Sequence, residues 1–96
     1  MNIEQNRKAT AVETAVGTYF PYRRVNVTAH PNAGNDNITA TLTYSIPAAN
    51  TNATAYFKVT GMLQSFLLCM EHEFGVKMHE VYITSTATDL TVRFTF

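Results

Sequence analysis

The spacing of apolar residues changes three times along the chain, and the first spacing predicts a helix. Near the start, apolar residues recur three or four positions apart, which is typical of one helix face: Ala9, Val12, Val16, Tyr19 and Phe20. Asn2 and Gln5 have the spacing of a capping box at a helix start. Pro21 disfavours helical geometry in the residue before it, so the helix is predicted to end near Thr18.

Strict alternation of apolar and polar residues follows this helix and predicts a β-hairpin. Val25 and Val27 alternate with polar residues, and "NITATLTYSI" does so throughout, with the turn-forming "HPNAGNDN" between them. Two such strands are typical of an antiparallel hairpin with one buried face. The predicted buried face of the second strand consists of Ile38, Ala40, Leu42, Tyr44 and Ile46.

The second half of the chain repeats this order. "PAANTNAT" predicts a loop and "AYFKV" a short extended piece, before a second helix that begins near Thr60 or Gly61. Gly75 stands where a C-terminal cap is expected. "KMHEVYITST" and "LTVRFTF" then predict a second hairpin that turns at 87–89. The predicted apolar stripe of the helix is Leu63, Phe66, Leu67, Met70 and Phe74.

The predicted order is therefore helix–hairpin–helix–hairpin (αββαββ). Two helices on one face of a four-stranded antiparallel sheet bury all of these apolar faces in the simplest way. We expect an α+β two-layer sandwich that forms a single domain over residues 1–96.

The balance of charges and the lack of a long apolar run exclude two classes of partner from the prediction, nucleic acid and membrane. Seven basic residues balance seven acidic ones, whereas a nucleic-acid binder usually has a basic excess, so no nucleic acid is expected. No apolar run reaches the ~18 residues of a membrane span, so no membrane partner is expected. The first residues lack the apolar core of a signal peptide. We expect a protein of the virion or the host cytoplasm that is not secreted through a signal peptide.

The stretch "CMEHEFGVKMHE" (69–80) concentrates the side chains that bind metals. Cys69 and His72 lie one helical turn apart, and Glu73 offers a third ligand, but zinc needs three or four convergent ligands. No second Cys or His pair accompanies them, and His30 lies in a distant loop. The interpretation favoured here is a solvated helix end followed by a strand, with no metal and no cofactor.

Catalytic patterns are also missing from the sequence. Cys69 and His72 would be surface neighbours with no third group to orient the imidazole. No Gly-x-Ser-x-Gly turn and no glycine-rich phosphate loop is present. We therefore expect no catalytic residues and a protein that is not an enzyme.

Two surface features remain as candidates for binding. The outer sheet face is predicted to be polar and nearly uncharged, which fits either a solvated face or a packing surface; its residues are Asn26, Thr28, Thr39, Thr41, Thr43, Ser45, Thr91, Arg93 and Thr95. Leu68 should point outward from the second helix. Phe96 is expected to leave an unprotected edge at the last strand.

The segment "AVETAVGTYFPYRRVNVTAHPN" with "DNITATLTYSIP" resembles the signature half of the baseplate wedge proteins of contractile-tailed phages. In that family, an amphipathic helix ends in a Tyr-Glu-Pro-Arg pattern, and two alternating strands follow. Here residues 19–23 read Tyr-Phe-Pro-Tyr-Arg, with Phe20 in the acidic position and Tyr22 inserted before the arginines. The resemblance covers residues 10–47. It implies a non-enzymatic virion component that joins subunits, with Pro21, Arg23 and Arg24 as interface anchors.

The leading hypothesis is that the protein is a structural or assembly subunit of a phage tail or baseplate. It is then expected to be an oligomer or part of an assembly. Its expected partners are other protein subunits, including copies of itself. Arg and Tyr are frequent interface anchors. The predicted interface residues are Pro21, Tyr22, Arg23, Arg24, Leu68, Arg93 and Phe96. The alternative is a small viral protein that docks on and inhibits a host protein. A third hypothesis is a minor enzyme or metal protein using Cys69 and His72.

Overall fold

A computed structural model describes residues 1–21, 23–31, 35–45, 52–86 and 88–96, with the backbone alone for 52–59. It confirms the α+β fold and the order helix–hairpin–helix–hairpin, with a four-stranded antiparallel sheet packed against two helices. The elements are α1 (Ile3–Tyr19), β1 (Val25–Ala29), β2 (Ile38–Ser45), α2 (Asn52–Phe74), β3 (Glu80–Ser85) and β4 (Asp89–Thr95). Within these residues, neither helix has the length and apolarity needed to cross a membrane.

The strands lie in the order β1-β2-β4-β3, and every neighbouring pair is antiparallel. The two hairpins therefore join through β2 and β4, with Leu42 opposite Val92. This order places β4 inside the sheet and makes β1 and β3 the edge strands. The third strand is shorter than predicted: the alternating pattern covers residues 77–86, whereas β3 begins at Glu80 and ends at Ser85.

The expectation that Phe96 leaves an unprotected edge is wrong. Its N–H donates to the Ile38 carbonyl at 3.1 Å, and its own carbonyl accepts the Ile38 N–H at 3.0 Å. The side chain has 0% exposure. Pairing of the two hairpins through β2 and β4 is the physical reason, since it gives the last strand a neighbour on each side.

The core lies between the sheet and the helices and is centred on a group of four phenylalanines. The ring of Phe66, on α2, lies 5.8 Å from that of Phe20, at the end of α1. It also lies 5.2 Å from the ring of Phe94 and 6.1 Å from that of Phe96. Because these rings come from both helices, β4 and the residue after it, the group ties together both halves of the fold. Val12, Val16, Ala11 and Ala15 complete the buried face of α1.

The start of α1 is fixed by the predicted capping box. The Asn2 side chain accepts the Gln5 N–H at 2.8 Å, and the Gln5 side chain accepts the Asn2 N–H at 3.0 Å. Gln5 is buried and donates in turn to the Asn37 carbonyl at 3.0 Å. The cap therefore also anchors the residue that precedes β2. The helix ends at Tyr19, one residue after the predicted Thr18.

We expect Asn2→Ala to lower the free energy of unfolding by about 1 kcal/mol, because the Gln5 N–H loses its acceptor. Urea denaturation followed by circular dichroism measures this change. Asn2→Ser is the matched control, since serine retains a capping oxygen. Equal stability of the serine and alanine variants would contradict a capping role.

The expected position of the start of α2 is wrong. The helix begins at Asn52, so the predicted extended piece "AYFKV" is helical. In the sequence, apolar positions 56 and 59 continue the spacing of positions 63, 66 and 70. Helical periodicity thus outweighs the modest strand preference of Tyr, Phe and Val.

The remainder of α2 follows the prediction. Leu63, Phe66 and Met70 are buried, while Leu67 and Phe74 are partly buried against the core. Gly75 has a φ of 64°, the left-handed conformation that glycine adopts most readily. The Val76 N–H then donates to the Met70 carbonyl at 2.9 Å and closes the helix end.

Candidate protein interface

The outer face of the sheet, on the side away from the helices, is the candidate site. Along β2, buried residues alternate with half-buried or exposed ones, and β4 shows the same alternation. All nine residues predicted to form the outer face are half-buried or exposed, which confirms their placement. On the fourth strand, β3, Glu80, Tyr82 and Thr84 are exposed as well. The face is therefore open to a partner across all four strands.

Tyr82 and Arg93 lie side by side on this face, on the edge strand β3 and its inner neighbour β4. They are directly opposite each other in the β3–β4 register, and Thr41 faces Arg93 from β2. The guanidinium carbon of Arg93 lies 5.5 Å from the Tyr82 ring centroid, within the range of a cation–π contact. Tyr82 has 52% exposure. A cleft of about 190 Å³ is lined by Thr41, Tyr82, Thr84, Thr91 and Arg93.

Tyr82 is a candidate that the sequence prediction missed. A signal for it is present: Val81 and Ile83 are apolar neighbours that turn toward the core, so alternation points Tyr82 outward. Its pKa is raised, above all by a hydrogen bond with the Glu80 carboxylate and by the negative charge of Glu80. The phenol therefore stays protonated over a wide pH range and remains a hydrogen-bond donor at this face.

A second depression lies at the β1 side of the sheet. It has a volume of about 550 Å³ and is lined by Arg23, Arg24, Val25, Asn26, Thr41 and Thr43. The Arg23 guanidinium carbon lies 4.4 Å from the Tyr44 ring centroid, which holds that side chain against the sheet. Arg24 is exposed. In the part of the chain that the structure describes, the one ion pair joins Arg7 to Glu4, so Arg24 and Arg93 have no carboxylate partner there.

The predicted interface residues do not form one patch. Arg24 and Arg93 lie at the outer sheet face, with Arg23 at its border, and Pro21 is exposed just after α1. Leu68 is 57% exposed, as predicted, but lies on α2. Tyr22 lies outside the described residues, and Phe96 belongs to the core.

The side chains of the Cys/His/Glu stretch (69–80) do not converge, because residues 69–74 belong to α2 and residues 75–80 follow it. His72 and Glu73 are exposed, and Cys69 is half-buried with its Sγ 3.6 Å from Glu73 Oε2. Across the described ranges, no group of three His, Cys, Asp or Glu side chains is placed to hold a metal ion. Burial raises the pKa of the Cys69 thiol, and the Glu73 carboxylate raises it further. A thiol in this state is a poor nucleophile at neutral pH.

We expect iodoacetamide to alkylate Cys69 more slowly at pH 7 than it alkylates a free cysteine, with the rate rising only at alkaline pH. The raised pKa keeps the thiol protonated, and the thiolate is the reactive form. Glu73→Gln removes the nearby negative charge and should shift the pH–rate curve to lower pH. Mass spectrometry across a pH series measures these rates. An unchanged curve in Glu73→Gln would show that the carboxylate does not act on the thiol.

Comparison of the chain with family models, curated proteins and solved structures found no match.

Proposed function

We propose that this protein is a small non-enzymatic assembly subunit that acts through protein–protein contacts at the outer face of its sheet. The observation that carries the proposal is the open four-stranded face, on which Tyr82 and Arg93 are exposed next to each other. The setting proposed for it is a phage tail or baseplate, on the strength of the resemblance of residues 10–47 to baseplate wedge proteins.

The residues of the face suit protein recognition. Tyr and Arg dominate interface hot spots because both bury a large surface and form directed polar contacts. Tyr82 is exposed, although its side chain is hydrogen-bonded to the Glu80 carboxylate, and Arg93 forms no ion pair among the described residues. Both side chains are therefore accessible to another chain, in a depression that they share with Glu80. The threonines around them supply β-branched packing surface at little desolvation cost compared with charged residues.

The order of the first elements supports the phage setting. A helix that ends at Tyr19 is followed by Pro21, two arginines and the antiparallel pair β1–β2. This is the order of helix, proline, arginine and two strands in the wedge signature. The acidic position of that signature is Phe20, which is buried in the core.

The test is the absolute mass in solution, measured by light scattering over a concentration series with and without EDTA. We expect a multimer that grows with concentration and does not respond to the chelator. Arg93→Ala should weaken it, whereas the control Glu13→Ala, at an exposed position on α1, should not.

Two results would contradict the proposal. A multimer that Arg93→Ala leaves unchanged would exclude the outer face as the contact surface. A strict monomer at every concentration would contradict self-assembly, and a host protein captured by pull-down would then favour the inhibitor hypothesis.

A further inference from the structure

The two hairpins pair in the same register, at positions that lie a constant distance apart in the chain. Val27 is opposite Ala40 in the first hairpin, and Val81 is opposite Phe94 in the second. Both residues of the second pair come 54 positions after those of the first, from 27 to 81 and from 40 to 94. The neighbouring pairs of the two ladders follow the same shift. The hairpins are therefore equivalent residue by residue.

The two helices follow the same shift. Val12 and Val16 on the buried face of α1 correspond to Phe66 and Met70 on the buried face of α2. The helices also end within one residue of corresponding positions. Each half of the chain is thus an αββ unit: the first unit comprises α1, β1 and β2, and the second unit comprises α2, β3 and β4.

The contact between β2 and β4 has the symmetry expected of two such units. Ala40 lies opposite Phe94, which is its own counterpart in the second unit. The pairs on either side change places when every residue is replaced by its counterpart: Ile38–Phe96 and Leu42–Val92. The shift along the chain therefore corresponds to a two-fold rotation about an axis that passes between Ala40 and Phe94.

Side-chain size distinguishes the two units where they meet. In most pairs of buried counterparts the second unit has the larger side chain, with Ile38 and Val92 as the exception: Val12 and Phe66, Val16 and Met70, Ala40 and Phe94, and Leu42 and Phe96. On the axis, two first units would place alanine against alanine and leave a cavity. Two second units would force phenylalanine against phenylalanine in the same space. A first unit with a second unit fills that space with one small and one large side chain.

We propose that the chain is a fused pair of equivalent αββ units, and that Ala40 and Phe94, on the axis between them, restrict pairing to unlike units. A two-fold contact is self-complementary, so like units would pair as well if nothing excluded them. The partner that fits the first unit is a second unit, from the same chain or from another copy. The unit of the same chain is favoured by its effective concentration, because residues 46–51 connect the two. This inference concerns the buried side of the sheet, so it does not depend on the proposed function.

The test begins with two full-length variants that make the axis pair alike. Phe94→Ala places alanine at both positions, and Ala40→Phe places phenylalanine at both. We expect each variant to lower the melting temperature by roughly 10 °C or more, through a cavity in the first and overpacking in the second. The double variant, with both substitutions in one chain, again has one small and one large residue on the axis. It should melt above both single variants, which circular dichroism measures.

Mixing the two single variants tests whether a second copy can supply the unlike unit. When two copies exchange units, the first unit of each meets the second unit of the other, and both axis pairs combine alanine with phenylalanine. An equimolar mixture, unfolded in urea and refolded together, should therefore form a 1:1 heterodimer that melts above either variant. Native mass spectrometry distinguishes this heterodimer from the two homodimers by mass. Each variant refolded alone is the control and should gain no stability.

A circular permutant tests the equivalence of the units without a point substitution. It runs from Asn52 to Phe96 and then through a linker into residues 1–45. By the two-fold relation, this linker replaces the counterpart of residues 43–54, so about twelve Gly and Ser residues span the gap. We expect the permutant to fold with a melting temperature within roughly 10 °C of the wild type. A permutant with the same linker that is opened inside β4, between Thr91 and Val92, is the control and should not fold.

Three results would count against the inference. A double variant that melts no higher than the single variants would show that the axis pair does not select the unlike unit. A refolded mixture without heterodimer would overturn the part of the proposal that admits a second copy. An unfolded permutant would overturn the equivalence of the two units.

Discussion

Phe66→Ala is expected to lower the free energy of unfolding by about 3–5 kcal/mol, the range for truncating a fully buried phenylalanine. Its ring touches those of Phe20, Phe94 and Phe96, so alanine leaves a cavity lined by three aromatic side chains. Domains are typically stable by only about 5–15 kcal/mol. The variant should therefore lose a large part of its stability.

Urea denaturation and thermal unfolding, both followed by circular dichroism, measure this loss. Ser65→Ala is the control, because position 65 is the exposed neighbour on the same helix and should change stability by under about 0.5 kcal/mol. Phe66→Leu should fall between the two variants, since it retains most of the apolar volume. A small loss in Phe66→Ala would mean that the aromatic group does not form the centre of the core.

Phe96→Ala is the second change with a large expected effect, again about 3–5 kcal/mol of unfolding free energy. The side chain is fully buried, and its ring stacks on Phe94 with centroids 5.5 Å apart. This variant distinguishes a core role from the interface role predicted from the sequence. A core residue affects the stability of the isolated chain, whereas an exposed interface residue affects only its association.

Chemical denaturation at low protein concentration, where association contributes little, separates these two effects. Phe96→Leu serves as the control and should lose less stability, since leucine fills much of the same space. If Phe96→Ala unfolded at the wild-type urea concentration but assembled more weakly, the interface role would hold and the core role would fail. In a double-mutant cycle, the losses of unfolding free energy in Phe66→Ala and Phe96→Ala should not add up to the loss in the double variant, because the two rings are in contact.

Local patterns predicted most of the fold. The capping box of Asn2 and Gln5, the alternation along β2 and the left-handed Gly75 depend on neighbouring residues, so a single sequence contains the information. Burial of the α2 stripe depends on periodicity and was also predicted. The outer face followed from the same alternation, since a strand with one buried face must turn its other residues away from the core.

The late start predicted for α2 was an error in weighing local periodicity against strand preference. The error on Phe96 arose where distant parts of the chain decide the outcome. The place of β4 inside the sheet depends on its pairing with β2, and no local pattern specifies which strands become neighbours. That pairing buries Phe96 and removes it from the candidate interface. Tyr82 was missed for a different reason: its exposure follows from the alternation of β3, but its importance depends on Arg93, which the β3–β4 register places opposite it.

The β2–β4 pairing also has a consequence for how the chain folds. It joins segments that lie half the length of the chain apart, whereas each hairpin pairs neighbouring segments. Loop-closure entropy opposes such distant contacts, so the union of the two halves should limit the folding rate. Before the two halves meet, β2 and β4 each have one unpaired edge and an apolar inner face. Such edges can pair with strands of other chains. The chain is therefore most prone to aggregate during the interval before its halves meet.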